Sequence, residues 1–418
     1  MLRKTTRLAA LVVTLFGACV GWWLRWEIIA YYHAWCWHHA PRDSRQHHAE
    51  RLAELGESAW PAIAWLLKQT QADRSDAAVN LLVSWWRHLH GSGRFATMLH
   101  GIARAWPGLT ESGQACVLQS LVQFVNEPIS TLTEAMASPK QQKPSQAAGN
   151  QDDGGVAQSA ELANAIREWL LEVQPLPFIS GRLPALQLTR WVALQLAQVV
   201  SEHPEPAASS AGWPHAHSDL ANWWQWCRQL ADLALLDGRE EVRQEAVRLA
   251  ALPQVALKAR LARRLLEPPA EPSPAVRALL IIAVGDAASQ DVAPSEELAR
   301  FLHDVSEDVR ASCEQVLRAR GLTARQIQLA RLWTHPDPLM RAQVPQLLYQ
   351  ETDLDPVPWL DRLSRDTSPL VRAAAVRTAA EHVEVRFAAR LMELAEEDVS
   401  PTVRQLAAYY QREMLARQ

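Results

Sequence analysis

Residues 301–321 read FLHDVSEDVRASCEQVLRARG and carry the pattern that decides the fold. In this stretch Asp304 stands five positions before the pair Val309-Arg310, and Ser306 stands three positions before it. Related groups recur at the same spacing along the C-terminal half of the chain. Because these charges return at a fixed register in successive units, we interpret Asp304 and Arg310 as parts of a repeated structural network rather than as an active site.

The repeat is defined by pairs of a hydrophobic residue and an arginine. Successive arginines are separated by 31 to 34 residues, and a period in this range indicates helical hairpins that stack into a solenoid. Apolar residues recur at helical spacing over most of the chain, which favours an all-α fold. The six pairs are Val242-Arg243, Val276-Arg277, Val309-Arg310, Met340-Arg341, Val371-Arg372 and Val403-Arg404.

Each unit also contains the signals of a helix start. The position five residues before the pair is acidic in every unit except the fourth, where it is His335. Three residues before the pair stands a good N-cap residue, except in the first unit, which has Arg239. Proline often follows, because its fixed φ suits the first helical position. The N-cap residues are Ser273, Ser306, Asp337, Ser368 and Ser400, and the prolines are Pro274, Pro338, Pro369 and Pro401.

Residues 219–418 resemble the HEAT repeat, in the short bacterial form also found in proteins related to phycobilisome lyases. The signature of that form is Asp, four residues, Val-Arg, and a small residue three positions later. Four units match the small position with Ala246, Cys313, Ala375 and Ala407, and two carry the larger Leu280 and Val344. The resemblance implies an α-solenoid with a ladder of acidic and arginine side chains, namely Asp237, Arg243, Glu271, Arg277, Asp304, Arg310, Arg341, Asp366, Arg372, Asp398 and Arg404.

The chain upstream of residue 219 continues with helical patterns but lacks the Val-Arg signature. Its amphipathic segments have apolar residues at i, i+3 and i+4, which predicts further helical repeats. Two stretches are poor in large apolar residues and rich in Pro, Ser, Gln or Gly, which predicts linkers, the first of them disordered. The predicted organisation is an anchor at 1–32, repeats at 33–136, a linker at 137–158, a repeat at 159–202, a linker at 203–218 and the HEAT-like array at 219–418.

The N-terminal segment predicts a single membrane anchor. Three basic residues precede 17 uncharged residues from Leu8 to Leu24, which would span about 26 Å as a helix. Because a hydrocarbon core is about 30 Å thick, we expect a tilted span that extends to Ala30. By the positive-inside rule the N-terminus would lie in the cytoplasm and the array outside it, in the periplasm of a bacterium with two membranes.

Two alternatives to an uncleaved anchor stay open. One is a cleaved signal peptide whose apolar region is residues 8–16. The other resembles a lipoprotein signal, in which Cys19 of the run FGAC would carry the lipid. The apolar run continues past both cleavage windows, which favours the anchor. Aromatic residues of the kind found at the headgroup level stand at the end of this run and just after it, namely Trp22, Trp23, Trp26, Tyr31 and Tyr32.

The segment after the anchor holds the densest cluster of metal-ligating residue types. His33 and Cys36 would share a helix face at i, i+3, and imidazole with thiolate suits a soft metal or haem. However, the adjacent His38 and His39 point in different directions, and the run has no C-x-x-C-H and no paired zinc spacing. We interpret residues 33–48 as an interfacial aromatic-histidine belt and predict no metal or cofactor, with His33, Cys36, His38 and His39 as the candidate ligands otherwise.

Composition and motifs argue against several classes of function. With 42 basic and 46 acidic residues the formal charge is −4, so no basic field attracts nucleic acid. The sequence has no glycine-rich phosphate loop, HExxH, G-x-S-x-G or C-x-x-C motif. We therefore predict that the protein is not an enzyme and has no small-molecule substrate. The five cysteines show no paired spacing, and we expect Cys116 and Cys313 to be buried.

Trp223, Trp224 and Trp226 are the candidate partner-binding residues. They occupy neighbouring positions of a predicted helix, so not all three can face the core, and large aromatic side chains anchor protein partners well. We expect a membrane-anchored HEAT-repeat scaffold that mediates protein–protein interaction. The alternative is an accessory protein that handles a cofactor or a metal with residues 33–48.

Overall fold

The structure is a computed structural model that describes residues 25–71, 74–127, 152–174, 181–202, 216–350, 355–382 and 385–417. Over these ranges the regular structure is helical and contains no β-strand, which confirms the predicted all-α class. The chain divides into two compact units, residues 1–256 and 257–418. The division falls inside the stretch that the sequence assigns to the HEAT-like array.

In its described residues the N-terminal unit contains ten α-helices. Helices two apart in the chain pack against each other, as α2 does with α4, α4 with α6, and α8 with α10. The helices are α1 (Arg25–His39), α2 (Arg42–Glu54), α3 (Trp60–Leu67), α4 (Ser75–Gly91), α5 (Phe95–Ala105), α6 (Glu111–Val125), α7 (Asp152–Val173), α8 (Arg182–Glu202), α9 (Ala216–Ala234) and α10 (Glu240–Ala250), with 3-10 turns at Gly56–Ala59 and Trp106–Gly108.

Tryptophan fills much of the core of the N-terminal unit. Trp85 and Trp86 of α4 are fully buried, as is Trp169 of α7. Trp85 donates its indole N–H to the carbonyl of Gly56 at 2.7 Å, and Trp86 donates to Ser120 Oγ of α6 at 2.9 Å. Large buried rings whose N–H groups are paired stabilise the packing both by apolar burial and by hydrogen bonding.

The C-terminal unit is built from shorter helices. Packing again joins helices two apart, as α12 with α14 and α19 with α21. The helices are α11 (Lys258–Leu266), α12 (Pro274–Ala283), α13 (Ser295–Leu298), α14 (Glu307–Ala319), α15 (Ala324–Trp333), α16 (Pro338–Arg341), α17 (Val344–Leu348), α18 (Pro356–Leu363), α19 (Pro369–Glu381), α20 (Ala388–Glu397) and α21 (Pro401–Arg417), with 3-10 turns at Ala287–Ser289, Ala299–His303 and Val385–Phe387.

The core of this unit is made mostly of Leu, Val and Ala. Val371 and Ala375 of α19 are fully buried with Val403 and Ala407 of α21, in one cluster that extends from α15 to α21. These are the hydrophobic and small positions of the repeat, and they share a helix face at i, i+4. Cys313 occupies the small position of α14 and is buried, as is Cys116 of α6, which confirms the burial predicted for both thiols.

Helix starts fall at the predicted N-cap residues. Two of these residues use their side chains: Ser273 Oγ accepts an N–H in the first turn of α12 at 3.3 Å, and Asp337 Oδ1 accepts one in α16 at 2.9 Å. Each such bond satisfies a backbone donor that the helix itself leaves unpaired. The confirmed N-cap residues are Ser273, Ser306, Asp337 and Ser368.

Both predicted linkers are shorter than the sequence suggested. Residues 152–158, predicted as part of a disordered linker, belong to α7, and residues 216–218 belong to α9. A helix extends readily once it has begun, because each added residue contributes a hydrogen bond without a new nucleus. The remainder of the two linkers, 137–151 and 203–215, lies outside the described residues.

The predicted anchor lies mostly outside the described residues, which begin at Arg25, and so does Cys19 of the lipoprotein alternative. Among the helices that the structure describes, none is long and apolar enough to cross a bilayer. Ala30, to which the predicted span extends, is buried in α1 together with Ala34 and Trp37, and α1 packs on α2 and α3. The predicted boundary at residue 32 therefore falls inside a helix of the N-terminal unit.

Candidate functional site

Three arginines of the sequence repeat pair with the aspartate of the next repeat along the chain, and we call these ion pairs rungs. Each arginine presents Nε and Nη2 to the two carboxylate oxygens, which is the bidentate geometry of strong ion pairs. The aspartate and arginine side chains of one repeat therefore do not form an ion pair with each other. The two N–O distances are 2.8 and 2.8 Å in Arg277–Asp304, 2.8 and 2.9 Å in Arg341–Asp366, and 2.7 and 2.8 Å in Arg372–Asp398.

Each rung residue also fixes the loop of its own unit. Arg372 Nη1 donates to the carbonyls of Asp366 and Thr367 at 2.8 and 3.2 Å. Asp366 Oδ1 in turn accepts the Ser368 N–H at 2.8 Å, in the manner of an Asx turn. The spacing of the repeat thus has a local cause, because the carboxylate binds a backbone N–H two residues on and the arginine six residues on binds back to the loop carbonyls.

The rungs hold their aspartates ionised. Burial alone would raise the pKa of Asp304, Asp366 and Asp398. Hydrogen bonds from the rung arginine and a backbone N–H, together with the arginine charge, instead lower each pKa below its ordinary value. The hydrogen bond from Arg372 to Asp398 also raises the pKa of Arg372. Because the Arg372 and Asp398 side chains are only 12% and 3% exposed, salt screens this pair weakly.

Asp237, the acidic residue of the first repeat, is bound by an arginine that the repeat pattern does not include. It accepts from Arg182 Nη1 at the start of α8 and from Arg239 Nε at 3.2 Å. Burial would raise the pKa of Asp237, but these hydrogen bonds lower it to about 2. Arg190 of α8 similarly pairs with the buried Glu245 of α10. Arg182 precedes Asp237 by 55 residues and follows no valine, so the regular spacing gave no signal for it.

Two further predicted ladder residues make contacts within their own sequence repeats. Arg243 Nη1 donates to the carbonyls of Asp237 and Gly238 at 2.9 and 3.0 Å. Glu271 accepts from Arg264 Nη2 at 2.8 Å and from the backbone N–H of the N-cap serine of α12 at 3.1 Å. Both residues therefore keep the loop contacts of the repeat.

Arg310 differs from the three rung arginines. Its Nη1 donates to the carbonyls of Asp304 and Val305 at 2.8 and 3.0 Å, as the rung arginines do in their own loops. The next unit has His335 in place of aspartate, and no carboxylate of the described residues pairs with Arg310. Arg404 likewise contacts only loop carbonyls within the described ranges.

Exposed apolar side chains lie on the loops and first helical turns that carry the rungs, and we call this set the rung edge. Val305 and Val399 directly follow rung aspartates and are 96% and 91% exposed. Leu339 of α16 and Leu370 of α19 are 63% and 46% exposed. The side chains of Val305 and Val399 contribute little to folding, because their apolar surface stays in water. Exposed apolar residues that together form a contiguous surface are typical of a site that binds another molecule.

An open groove adjoins the last rung. It has a volume of about 600 Å³, and its lining includes the rung residues Arg372 and Asp398, the charged Arg390 and Glu393, and Val399 of the rung edge. An apolar residue of the edge thus lies beside a recess that is lined by both signs of charge.

The three candidate tryptophans lie mostly in the core. Trp223 is fully buried and Trp226 is 5% exposed, whereas Trp224 is half-buried. The spacing explains this arrangement, because positions i and i+3 place Trp223 and Trp226 on the face of α9 that also buries Cys227 and Leu230. The partner-binding role predicted for Trp223 and Trp226 is therefore corrected to a role in core packing.

The candidate metal ligands do not converge on one point. His33 Nδ1 lies 3.0 Å from His48 Nδ1 of α2. His38 contacts an arginine next to α4, and His39 Nδ1 bonds to a carbonyl of α1 itself. Cys36 is a half-buried free thiol. Among the described residues, no group of three His, Cys, Asp or Glu side chains is arranged to hold a metal ion.

Helix α1 presents a second exposed apolar surface. Its Ala30, Ala34 and Trp37 are buried, while six large apolar side chains are between 37% and 61% exposed. So many exposed aromatic and aliphatic side chains on a helix of 15 residues are typical of contact with a membrane interface or a partner. The six residues are Trp26, Ile28, Ile29, Tyr31, Tyr32 and Trp35.

Comparison with known proteins gives no match, either to a family model or to a curated protein. The interpretation of the rung edge and the α1 surface therefore depends on their own geometry. The exposure of the valines on the rung edge could not be predicted from the sequence, because a valine beside a repeat aspartate resembles any other hydrophobic residue of the array.

Proposed function

We propose that the protein is a membrane-anchored scaffold of HEAT-like repeats that binds another protein along the rung edge. The repeats would form an α-solenoid, residues 1–24 would contain the anchor, and the array would lie on the periplasmic side. The observation that supports this proposal best is the near-complete exposure of Val305 and Val399 on loops that ion pairs already hold in place.

Loops held in this way suit binding. A partner that covers the rung edge removes the apolar surfaces of Val305, Leu339, Leu370 and Val399 from water, which is worth about 25 cal/mol per Å². Ordering a flexible loop on binding normally subtracts from such a gain. Here the rung aspartates and arginines have fixed the loop backbone during folding, so less conformational freedom remains to be lost.

The surface of α1 supports the membrane part of the proposal. Its exposed Trp26, Tyr31, Tyr32 and Trp35 follow the apolar residues 8–24 in the chain. Aromatic side chains are enriched at the level of the lipid headgroups, where an apolar ring and a polar edge are both accommodated. We propose that α1 lies at this level and that the rest of the N-terminal unit extends from it into the aqueous phase.

Orientation is tested with a reporter enzyme that is active only outside the cytoplasm, fused to the C-terminus of the full chain. We expect the fusion to be active and to sediment with membranes after a high-salt wash, because an apolar anchor does not depend on charge. An inactive reporter, or release of the full chain into the soluble fraction, would contradict the anchored topology.

Partner binding is tested with a photoreactive amino acid placed at Val399 or at Leu339 of the full chain in its native membrane. The matched control position is Val385, which is apolar and 59% exposed but lies beyond the opposite end of α19 from the rung loop, about 20 Å away along that helix. We expect the two edge positions to crosslink to the same protein, identified by mass spectrometry, and Val385 not to do so. Equal adducts at all three positions, or none at the edge, would refute partner binding there.

A further inference from the structure

We infer that Arg310 is a receptor for a carboxylate of the bound protein. This inference rests on the proposed scaffold function and adds the chemistry of one contact. The structural basis is the rung that is missing between α14 and the unit that begins at His335.

His335 occupies the place of a rung aspartate. Its Nδ1 accepts the Asp337 N–H at 3.0 Å, as Asp366 Oδ1 accepts the N–H two residues after it. Its carbonyl accepts from Arg341 Nη1 at 2.7 Å, as the carbonyl of Asp366 does from its own arginine. The loop therefore keeps the backbone bonds of the repeat, and what it lacks is the carboxylate.

The imidazole does not replace that carboxylate. Because Nδ1 of His335 accepts a hydrogen bond, the proton of the neutral ring lies on Nε2, which is then a donor. A guanidinium has only donors, so His335 offers Arg310 no acceptor on its ring. A neighbouring imidazole, His303, packs edge-on against His335 at 5.1 Å, and its Nε2 bonds to a backbone carbonyl at 2.7 Å.

The guanidinium of Arg310 is nevertheless held as in a rung. Its Nη1 makes the same two bonds to loop carbonyls, which fix one edge of the planar group. In Arg277, Arg341 and Arg372, which share these bonds, the opposite edge of Nε and Nη2 holds a carboxylate in bidentate fashion. Arg310 therefore presents the same edge in advance of any ligand, and such a fork matches a planar oxyanion better than a point charge does.

The surroundings identify the source of the carboxylate. Val305, whose carbonyl binds Arg310, is 96% exposed, and Leu339 of the following loop is 63% exposed. An acidic side chain or a C-terminal carboxylate flanked by apolar residues would bind the fork of Arg310 and would also cover the apolar side chains of Val305 and Leu339. A free inorganic anion would satisfy only the fork, so the apolar neighbours favour a protein segment.

The accessibility of the Nε and Nη2 edge of Arg310, the fork that would hold the carboxylate, is tested by reaction of the full chain with phenylglyoxal, which modifies guanidinium groups. The modified residues are then identified by peptide mass spectrometry. We expect Arg310 and Arg404 to react faster than the rung arginines Arg277, Arg341 and Arg372, which serve as internal controls. His335→Asp should slow the reaction of Arg310 to the rate of a rung arginine, and His335→Asn should not. Reaction of wild-type Arg310 at the rate of the rung arginines would overturn the inference.

The partner's carboxylate is tested with a photoreactive amino acid at Val305 of the full chain in its native membrane. We expect an adduct in the otherwise wild-type chain and in His335→Asn, and its loss in Arg310→Gln and in His335→Asp, which fills the fork from within. A synthetic peptide of the crosslinked segment should compete, and the same peptide with its carboxylate converted to an amide should not.

The possible failures of this test are distinguishable. An adduct that persists in Arg310→Gln and His335→Asp, or equal competition by the amide peptide, would refute the carboxylate contact and leave the scaffold function standing. Loss of the adduct in inorganic phosphate, but not with the acidic peptide, would assign the fork to free anions and also refute it. No adduct at residues 305, 339 or 399 would refute the scaffold function itself.

Discussion

The two units of the molecule hold their helices at the required spacing by different means. In the N-terminal unit, large indole rings fill the space between helices, and Trp85, Trp86 and Trp169 are fully buried. In the C-terminal unit Trp333 and Trp359 are only half-buried, while small and branched side chains form the core and ion pairs connect the loops. The N-terminal unit is held mainly by the packing of large side chains. The C-terminal unit is held by side-chain packing together with a regular set of ion pairs.

This difference bears on which unit can offer a regular surface. A bidentate ion pair requires a fixed distance and orientation, so loops connected by rungs adopt the same backbone in successive repeats. A ring that fills a cavity imposes no such repetition, because neighbouring cavities differ in shape. A repeated row of exposed side chains, the rung edge, accordingly lies in the C-terminal unit.

Acid should produce the largest contrast, because it acts on all three rungs together. The pKa values of Asp304, Asp366 and Asp398 are lowered in the folded state. Their stabilisation is therefore complete above the ordinary carboxyl pKa of 3.8 and is lost as the pH falls below it, through the folded pKa values. Asp237 behaves in the same way in the N-terminal unit, with a pKa of about 2.

Hydrogen exchange, corrected for intrinsic rates, is the measurement for this contrast. Between about pH 5 and about pH 3 we expect helices α12 to α21 to lose more protection than α4 to α6, because the three rung aspartates, whose pKa values are lowered, lie in the C-terminal unit. Equal loss of protection in both units would show that the rungs do not determine the stability of the C-terminal unit.

Trp86→Ala should affect the N-terminal unit most among single substitutions. Removing a fully buried ring from a core costs about 3–5 kcal/mol in the free energy of unfolding, and Ser120 Oγ also loses its donor. Denaturant titration should show this loss, with faster exchange in α4 and α6. Trp359→Ala, which removes a half-buried ring from the other unit, is the control and should cost about 1–2 kcal/mol. Similar costs would contradict the assignment of aromatic packing to the N-terminal unit.

Sequence alone could predict the features that depend on a fixed spacing. The all-α class, the N-cap residues and the burial of Cys313 follow from periods of 3.6 and of 31 to 34 residues. The pairing of Asp237 with Arg182 could not be predicted, because Arg182 lies 55 residues away and outside the repeat register. The exposure of Val305 could not be predicted either, because the periodic pattern that indicates burial in a helix does not exist in a loop, where a hydrophobic residue can be buried or exposed.

Arg372→Ala tests how much one rung contributes. The substitution leaves Asp398, whose side chain is 3% exposed, without its charged partner, and breaking a buried pair in this way costs about 3 kcal/mol. The free energy of unfolding of the C-terminal unit, measured by denaturant titration, should fall by this amount. Arg372→Ala combined with Asp398→Ala should recover part of the loss, because no unpaired buried charge then remains.

Arg404→Ala is the matched control for this rung. Arg404 makes the same type of loop contact but pairs with no carboxylate among the described residues, so we expect a cost of about 1 kcal/mol. An unfolding midpoint that stays unchanged in Arg372→Ala, or an equal fall in the free energy of unfolding in Arg372→Ala and Arg404→Ala, would show that the rungs do not stabilise the fold.

Gly113→Ala should have the smallest effect that is still specific to the N-terminal unit. A Cβ at Gly113 would lie 2.3 Å from the carbonyl oxygen of Leu67, which is backbone and also accepts from Thr110 Oγ1 at 3.0 Å. Overpacking of this kind costs about 2 kcal/mol, against which alanine regains up to about 1 kcal/mol of helix propensity. At Gly285 of the C-terminal unit the nearest atom to a Cβ would be a methyl group of Val316 at 2.6 Å, which is a side chain rather than backbone, and at Gly238 a Cβ would meet nothing. Thermal unfolding should therefore rank Gly113→Ala as most destabilising, Gly285→Ala next and Gly238→Ala as neutral, and a reversed order would mean that close backbone contact is not what limits the spacing of α3 and α6.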